Sequence, residues 1–329
     1  MTPYPDWAED LGHGIHAIDT GFQRPRFDAA YLMVHGGRAA YIDTGTNFAV
    51  PRLLALLDHL GLRREDVDHV IPTHVHLDHA GGVGALVREL PSATVWVHPR
   101  GARHLIDPSR LYAGALAVYG QDEMDRSYGQ LLPVPAERVR ETTDGTAIML
   151  AGRLLEIAHT PGHAHHHHCI WDEATRGWFT GDTFGLSYRE LDTAQGAWIV
   201  PTSTPVQFEP ELLRVSVQRL LDRDPACMYL THYGRVEGVA RLGQRFMGLL
   251  ENTVQRSRVL AGAPDRHAAL CRMLTDLYVG SLQAMGHGAD PAQLAEWLAL
   301  DIELNAQGIA IWLDRVARQG QGEAARTAT

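Results

Sequence analysis

Cysteine is scarce in this 329-residue chain: there are three, none in a Cys-x-x-Cys pair. A disulfide framework and a zinc ribbon are thereby excluded. Long apolar runs are missing too, since charge interrupts each apolar stretch well short of a membrane span. The first residues, MTPYPDWAEDLGHG, hold acids and prolines where a secretory leader needs a basic start and an apolar run, so the expected compartment is the cytoplasm. Positive charge is in deficit. The chain has 29 Lys+Arg against 39 Asp+Glu, and the net charge of −10 argues against a nucleic-acid backbone as partner. The expected partner is a small molecule, with no nucleic acid and no membrane. Hydrophobic residues at 45 % suffice for a folded core and are too many for a disordered chain. Histidine is the excess: nineteen of them, and they cluster.

The apolar pattern changes character near residue 236. Before it, strand-like runs alternate with helical ones. Leu32-Met33-Val34 and Ala39-Ala40-Tyr41-Ile42 flank Gly36-Gly37, which predicts a hairpin. Apolar residues at 50, 53, 54, 56 and 57 predict a helix that stops at Gly61. Val70-Ile71 is a short strand ending at Pro72, a helix is expected over about 82–90, and TVWVH at 94–98 is another strand. After a partly helical region over 101–145, strand signals return in TAIML, RLLEIAH, HHHCIW, GWFTG, WIVP and CMYLTH, with a helix over 209–222. Many short strands with intervening helices predict two packed sheets covered by helices. From 238 onward three helical segments are expected, over 238–260, 266–286 and 291–318. The domain reading is therefore 1–236 for the mixed part and 237–329 for a helical extension.

The strongest chemical signal is THVHLDHAGG, which places His74, His76, Asp78 and His79 on a loop just beyond a strand end. Imidazole and carboxylate suit zinc, iron or manganese. His163 follows the strand RLLEIAH at a Pro-Gly turn, Asp182 follows GWFTG, and His232 ends the last strand of the mixed part. Each is a ligand type where a strand meets a loop, so one rim of a two-sheet sandwich can collect all seven. Seven exceed the needs of one metal and match two metals sharing a carboxylate. A pair of ions about 3.5 Å apart lowers the pKa of a water they hold and polarises the oxygen that gains charge in hydrolysis. No serine or cysteine nucleophile is required; Cys169, Cys227 and Cys271 are expected to pack as small hydrophobes.

His-x-His-x-Asp-His followed by Thr-Pro-Gly-His, Gly-Asp-Thr and a strand-terminal His, with Asp43-Thr44-Gly45 ahead of them, resembles the metallo-β-lactamase-fold hydrolases, nearest the glyoxalase II-like branch. The likeness spans about residues 12–236. It implies an α+β fold, a four-layer αββα sandwich, here with a C-terminal all-helical extension. It also implies two divalent metal ions per chain, with zinc first and iron or manganese as alternatives. His74, His76 and His163 would hold one ion, Asp78, His79 and His232 the other, and Asp182 would bridge them. Asp78 would also orient the nucleophile. The expected activity is a metal-dependent hydrolase acting on the ester, thioester or lactone carbonyl of a small molecule. Competing readings are a phosphodiesterase of the same fold, a mononuclear iron enzyme that oxidises sulfur, and a noncatalytic ligand-binding or sensor protein.

Where relatives often have Thr-Pro-Gly-His-x-x-Gly-His, this chain has an unbroken run from His165 to His168. Strand alternation would send His166 and His168 to one face and His165 and His167 to the other, with one pair orienting ligands, packing or facing solvent, or supplying an alternative ligand. The long stretch over 184–207 leaves the metal-bearing edge and offers Tyr188, as a catalytic or pocket group, with Arg189 and Trp198 as pocket candidates. Tyr233 adjoins a ligand and is expected either to line the pocket or to pack. On the last helical segment Leu294, Leu298, Asn305, Ile309, Trp312 and Val316 share a face, with Asp301 beside it. Asn305 on that apolar stripe is either a satisfied core amide or a pocket wall. The extension is expected to cover the cavity, to form a homodimer interface, or both.

Overall fold

The computed structural model describes residues 3–327, with side chains described through residue 319. Two sheets form its centre. The first contains β1 (Ala8–Asp10), β2 (Ile15–Asp19), β3 (Ala29–His35), β4 (Arg38–Ile42), β5 (Val67–Ile71), β6 (Thr94–Val97) and β7 (Val139–Glu141), in that spatial order. The second contains β8 (Ala147–Leu150), β9 (Arg153–His159), β10 (His168–Asp172), β11 (Gly177–Gly181), β12 (Cys227–Leu230) and β13 (Gly234–Val236), also in spatial sequence. Both sheets are mixed: β4, β5, β6 and β7 run parallel, as do β11 and β12, and the remaining pairs are antiparallel.

Strand alternation explains why the sheets stack. Along β3, Ala29, Tyr31 and Met33 point into the core shared with the second sheet, whereas Ala30 and Leu32 point to the opposite face. That opposite face is covered by α1 (Val50–His59), α3 (Val83–Glu89) and α4 (Pro99–Ile106); a short α2 (Leu77–Ala80) precedes α3. The predicted hairpin joins β3 to β4 through Gly36 and Gly37, both at positive φ, where a two-residue turn matches strand twist. Two further helices, α5 (Ser109–Tyr119) and the single turn α6 (Gln121–Glu123), lead toward β7. Outside the second sheet lie α7 (Pro210–Leu221), α8 (Val239–Val259), α9 (Arg266–Ala284), α10 (Pro291–Trp297) and α11 (Ala299–Thr327). The result is two mixed sheets flanked by helices, an αββα sandwich with a C-terminal helical extension.

Four sequence expectations change. The segment over 291–318 is two helices that break at Leu298, whose ψ of 5° leaves the helical region. WIVP is not a strand; only Val200 bridges, to Leu186. β1, β7 and β13 are three-residue strands recruited by their neighbours rather than by any pattern of their own. Val316 is 44 % exposed and leaves the apolar stripe on which Leu294, Leu298, Ile309 and Trp312 are buried. Among the described residues, no helix is long and apolar enough to cross a membrane.

Candidate metal centre

Five strand ends meet on one rim. β4 ends before Asp43, β5 before the His74 loop, β9 before His163, β11 before Asp182 and β12 before His232. α2 carries Asp78 and His79 on its single turn. His74, His76, His163 and Asp182 bring ligand atoms within 4.8 Å of one another, and so do Asp78, His79 and His232. All seven residues singled out in the sequence converge. Asp182 stands between the two clusters. Its Oδ2 lies 3.4 Å from His163 Nε2, and its Oδ1 lies 3.2 Å from His79 Nε2 and 3.8 Å from His232 Nε2. Gly181, at φ +47°, permits this close approach: a Cβ there would sit 2.5 Å from Thr73 Oγ1 and 2.7 Å from His167 Nε2.

The unused atoms fit divalent ions. His74 Nε2, His79 Nε2 and Asp182 Oδ1 are buried and have no hydrogen-bond partner; the 3.2 Å approach of the last two lacks hydrogen-bond geometry. Isolated buried polar atoms of this kind are costly. Meanwhile the far side of three of the imidazoles is held. His79 Nδ1 lies 2.9 Å from Asp43 Oδ2, His232 Nδ1 2.8 Å from the Phe27 carbonyl, and His74 Nδ1 3.1 Å from Thr73 Oγ1. Metal-binding histidines are commonly oriented in this way.

The protonation states divide by cluster. Burial, then neighbouring imidazoles, keeps His74 well below its ordinary pKa, and burial with His163 pushes His76 down to about 3. Burial also lowers His163. These rings are neutral donors at pH 7. Burial pushes His79 and His232 downward as well, but carboxylates outweigh it: Asp182, Asp78 and Asp43 hold His79 well above its ordinary value, and Asp182, Asp78 and Asp28 raise His232 to about 9. Burial raises Asp78 and Asp182, yet the adjacent imidazoles bring Asp78 to about 2 and hold Asp182 well below the usual carboxylate range. The carboxylates thus demand positive charge, and bound cations would displace the imidazole protons that supply it here.

The histidine run departs from strand alternation because β10 begins only at His168. Sequential rings His166 and His167 both stack on His74, at centroid separations of 6.0 and 4.6 Å. His167 Nε2 accepts the Asp182 backbone N–H at 3.2 Å, and its Nδ1 meets Thr160 and Thr183 hydroxyls at 3.0 and 3.1 Å. It therefore positions the Asp182 backbone. His168 lies 2.9 Å from the Pro72 carbonyl, and His165 pairs with Glu209 at 3.3 Å.

Of the pocket candidates, Tyr188 reaches the metal edge. Its ring stacks on Phe27 at 5.1 Å and lies 6.5 Å from the His232 ring; its hydroxyl donates to Asp301 Oδ1 at 3.0 Å. The helical extension thereby touches the site's surroundings. The other candidates are engaged by their own neighbours. Arg189 folds back on its own loop, onto Ser187 and Asp192. Trp198 is fully buried and donates to Ser281 of α9 at 3.1 Å, and the Tyr233 backbone N–H donates to Ser187 at 3.3 Å. Asn305 is a satisfied core amide: it accepts from Ser203 N at 2.6 Å and Thr202 Oγ1 at 3.5 Å, and donates to Tyr278 Oη and the Pro201 carbonyl. No polar atom remains for a ligand. Asn305→Ala should leave metal content unchanged and lower stability by about 1–3 kcal/mol through unpaired buried groups, readable in a urea midpoint.

An aromatic wall went unread in the sequence. Phe27 lies 5.4 Å from His232, Phe22 lies 5.9 Å from Phe27, and Tyr128 lies 5.4 Å from Phe22 and 5.3 Å from Tyr119. Arg24 covers Phe27 and Tyr188 at 5.0 and 4.6 Å. The only local hint is the aromatic pair in GFQRPRFD. Beyond the Tyr128 end of this wall, a cavity of about 590 Å³ is lined by Ser109, Tyr112, Asp125, Gly129, Gln130 and Leu131.

Asp301 yields a pH prediction. Burial lifts its carboxyl from 3.8 to about 6, against the opposing Tyr188 hydrogen bond and His232 charge. The folded state thus favours the neutral acid. Its contribution is full below about pH 4 and lost as pH rises through about 6. In the metal-free protein, D301N should flatten this fall, which is on the order of 3 kcal/mol. Urea midpoints between pH 4 and 7 test it; parallel wild-type and variant curves would contradict the assignment.

Comparison with known proteins follows the same geometry. Residues 24–232 match the sequence model of the metallo-beta-lactamase superfamily. The metallo-beta-lactamase fold-containing protein ST1585 from Sulfurisphaera tokodaii is 25 % identical over 228 residues, 68 % of this chain and 79 % of that protein. Its crystal structure aligns with a TM-score of 0.64 over 91 % of this chain and 98 % of the other, at 21 % identity. The metallo-beta-lactamase family protein TTHA1429 from Thermus thermophilus aligns with a TM-score of 0.62 at 20 % identity, covering 88 % of this chain and 94 % of the other. A hydroxyacylglutathione hydrolase from Aeromonas hydrophila is 28 % identical over 194 residues, 58 % of each chain.

Proposed function

The chain belongs to the metallo-beta-lactamase superfamily, and from that premise we propose that it is a two-metal hydrolase of small-molecule thioesters, with esters and lactones as related substrates. The observation carrying this reading is Asp182, whose two oxygens face separate histidine clusters. His74, His76 and His163 would hold one ion, Asp78, His79 and His232 the other, and Asp182 both; zinc is the first choice for this nitrogen-rich set. Bound there, two divalent ions supply Lewis-acid polarisation of a carbonyl and a water of lowered pKa.

The chain's own residues do the rest. Asp43, Thr73 and the Phe27 carbonyl fix the imidazole orientations. Asp78, whose Oδ2 lies 3.4 Å from His232 Nε2, would both ligate the second ion and orient the attacking water toward the carbonyl. Phe22, Phe27 and Tyr128 offer an apolar surface for the acyl group, which also excludes water from the reacting centre. Tyr188, locked by Asp301, closes that surface beside His232, and α11 serves as cover through this contact. The likeness to a hydroxyacylglutathione hydrolase favours the thioester within the carbonyl class and supports a glyoxalase II-like placement.

A panel of one thioester, one ester, one lactone and one phosphodiester, assayed with metal-loaded protein, tests the reading. Thioester hydrolysis should be the fastest and should vanish on chelation. Turnover of the phosphodiester alone, or of none, would overturn the carbonyl assignment.

A further inference from the structure

A ligand set of different chemistry sits on the helical extension. His267 and Cys271 stand one turn apart on α9, and Glu303 faces them from α11. Cys169 and Cys227 are buried, and Cys271, partly buried, also packs against the core as expected, but its sulfur faces polar groups as well. Its Sγ lies 3.7 Å from His267 Nε2 and 3.7 Å from Glu303 Oε2, and those two atoms are 3.1 Å apart. A tetrahedral zinc ion, with bonds of about 2.3 Å to sulfur and about 2.0 Å to nitrogen or oxygen, spaces its ligands about 3.5 Å apart for sulfur pairs and about 3.3 Å for the nitrogen–oxygen pair. The triangle therefore matches a tetrahedral ion's ligand face to about 0.2 Å.

Two further features support a site over a surface ion pair. Gln307 Nε2 donates to Glu303 Oε1 at 2.8 Å, steadying the carboxylate whose Oε2 faces the sulfur. The imidazole and carboxylate side chains are 49 % and 47 % exposed, so their pairing alone contributes about 0–1 kcal/mol and has no need of a thiol beside it. Burial, then Glu303, raises the thiol pKa, so sulfur stays protonated until a cation displaces the proton.

We propose that His267, Cys271 and Glu303 form a third metal site, for a thiophilic divalent ion of the zinc class, clamping α9 to α11 with its fourth position open to water. The thiolate selects this class over calcium or magnesium. Glu303 lies within one turn of Asp301, so the clamp steadies the helix that holds Tyr188. This inference does not depend on the hydrolase reading.

Cobalt(II) separates the sites, because the seven-residue centre contains no sulfur. Full-length protein, its exposed metal removed by brief dialysis against a weak chelator, should develop a near-ultraviolet thiolate-to-cobalt absorption that saturates at one equivalent. C271S should abolish the band and reduce bound metal by one ion per chain, while Gln307→Ala should weaken cobalt binding about tenfold. Zinc should also slow iodoacetamide labelling of Cys271 roughly tenfold or more, since bound sulfur loses its nucleophilic pair. Absence of the band, its survival in C271S, or labelling indifferent to zinc would overturn the proposal.

Discussion

Asp182→Ala is expected to release both catalytic metal ions and to lower kcat/KM on the order of 10³-fold, the equivalent of about 4 kcal/mol of lost transition-state stabilisation. The carboxylate is only 5 % exposed and stands within 3.8 Å of imidazoles from both clusters. Its removal leaves each set one ligand short. The backbone does not need the carboxylate: Asp182 N–H is held by His167, and Thr183 N–H donates to the Thr180 carbonyl. Far-UV circular dichroism should therefore match the wild type while elemental analysis shows metal loss. Retention of two ions at wild-type affinity would refute the bridging role.

Asp43→Ala is expected to produce the second-largest effect, although Asp43 belongs to neither ligand cluster. Its carboxylate is fully buried and accepts from Thr73 N at 2.7 Å, Thr73 Oγ1 at 3.0 Å and Thr231 Oγ1 at 2.8 Å, while lying 2.9 Å from His79 Nδ1. It ties the β5 and β12 loops to the His79 ring. Alanine leaves these donors unpaired at about 1–3 kcal/mol each, so the cost exceeds that of a typical point substitution. Loss of the ring's orientation should weaken metal binding about 10- to 100-fold. A zinc titration beside a urea melt reads both; wild-type affinity in a destabilised variant would confine Asp43 to folding.

The seven candidate ligands were legible because five strand ends meet on one rim and the densest motif, His74 to His79, follows one of them, although Asp78 and His79 sit on the short α2 rather than on a loop. The β3–β4 hairpin was legible for a similar reason, since alternation and a Gly-Gly turn are properties of adjacent residues. Phe22, Phe27 and Tyr128 form their wall only when loops distant in sequence meet, and a chain pattern carries no sign of that meeting. Asn305 shows the same limit. Its apolar neighbours predict burial, but Pro201, Thr202, Ser203 and Tyr278 come from elements 27 to 104 residues away. The histidine run departs from alternation for a local reason: His165, His166 and His167 precede β10, so a strand's two-residue period does not govern them.

The central claim is a pair of metal ions sharing Asp182, and anomalous diffraction from crystals of the protein purified without added metal tests it most directly. Data on either side of the zinc absorption edge should show two peaks in the seven-residue centre, one among His74, His76 and His163 and the other among Asp78, His79 and His232, with Asp182 between them. A single peak with His79 and His232 unliganded would contradict the account.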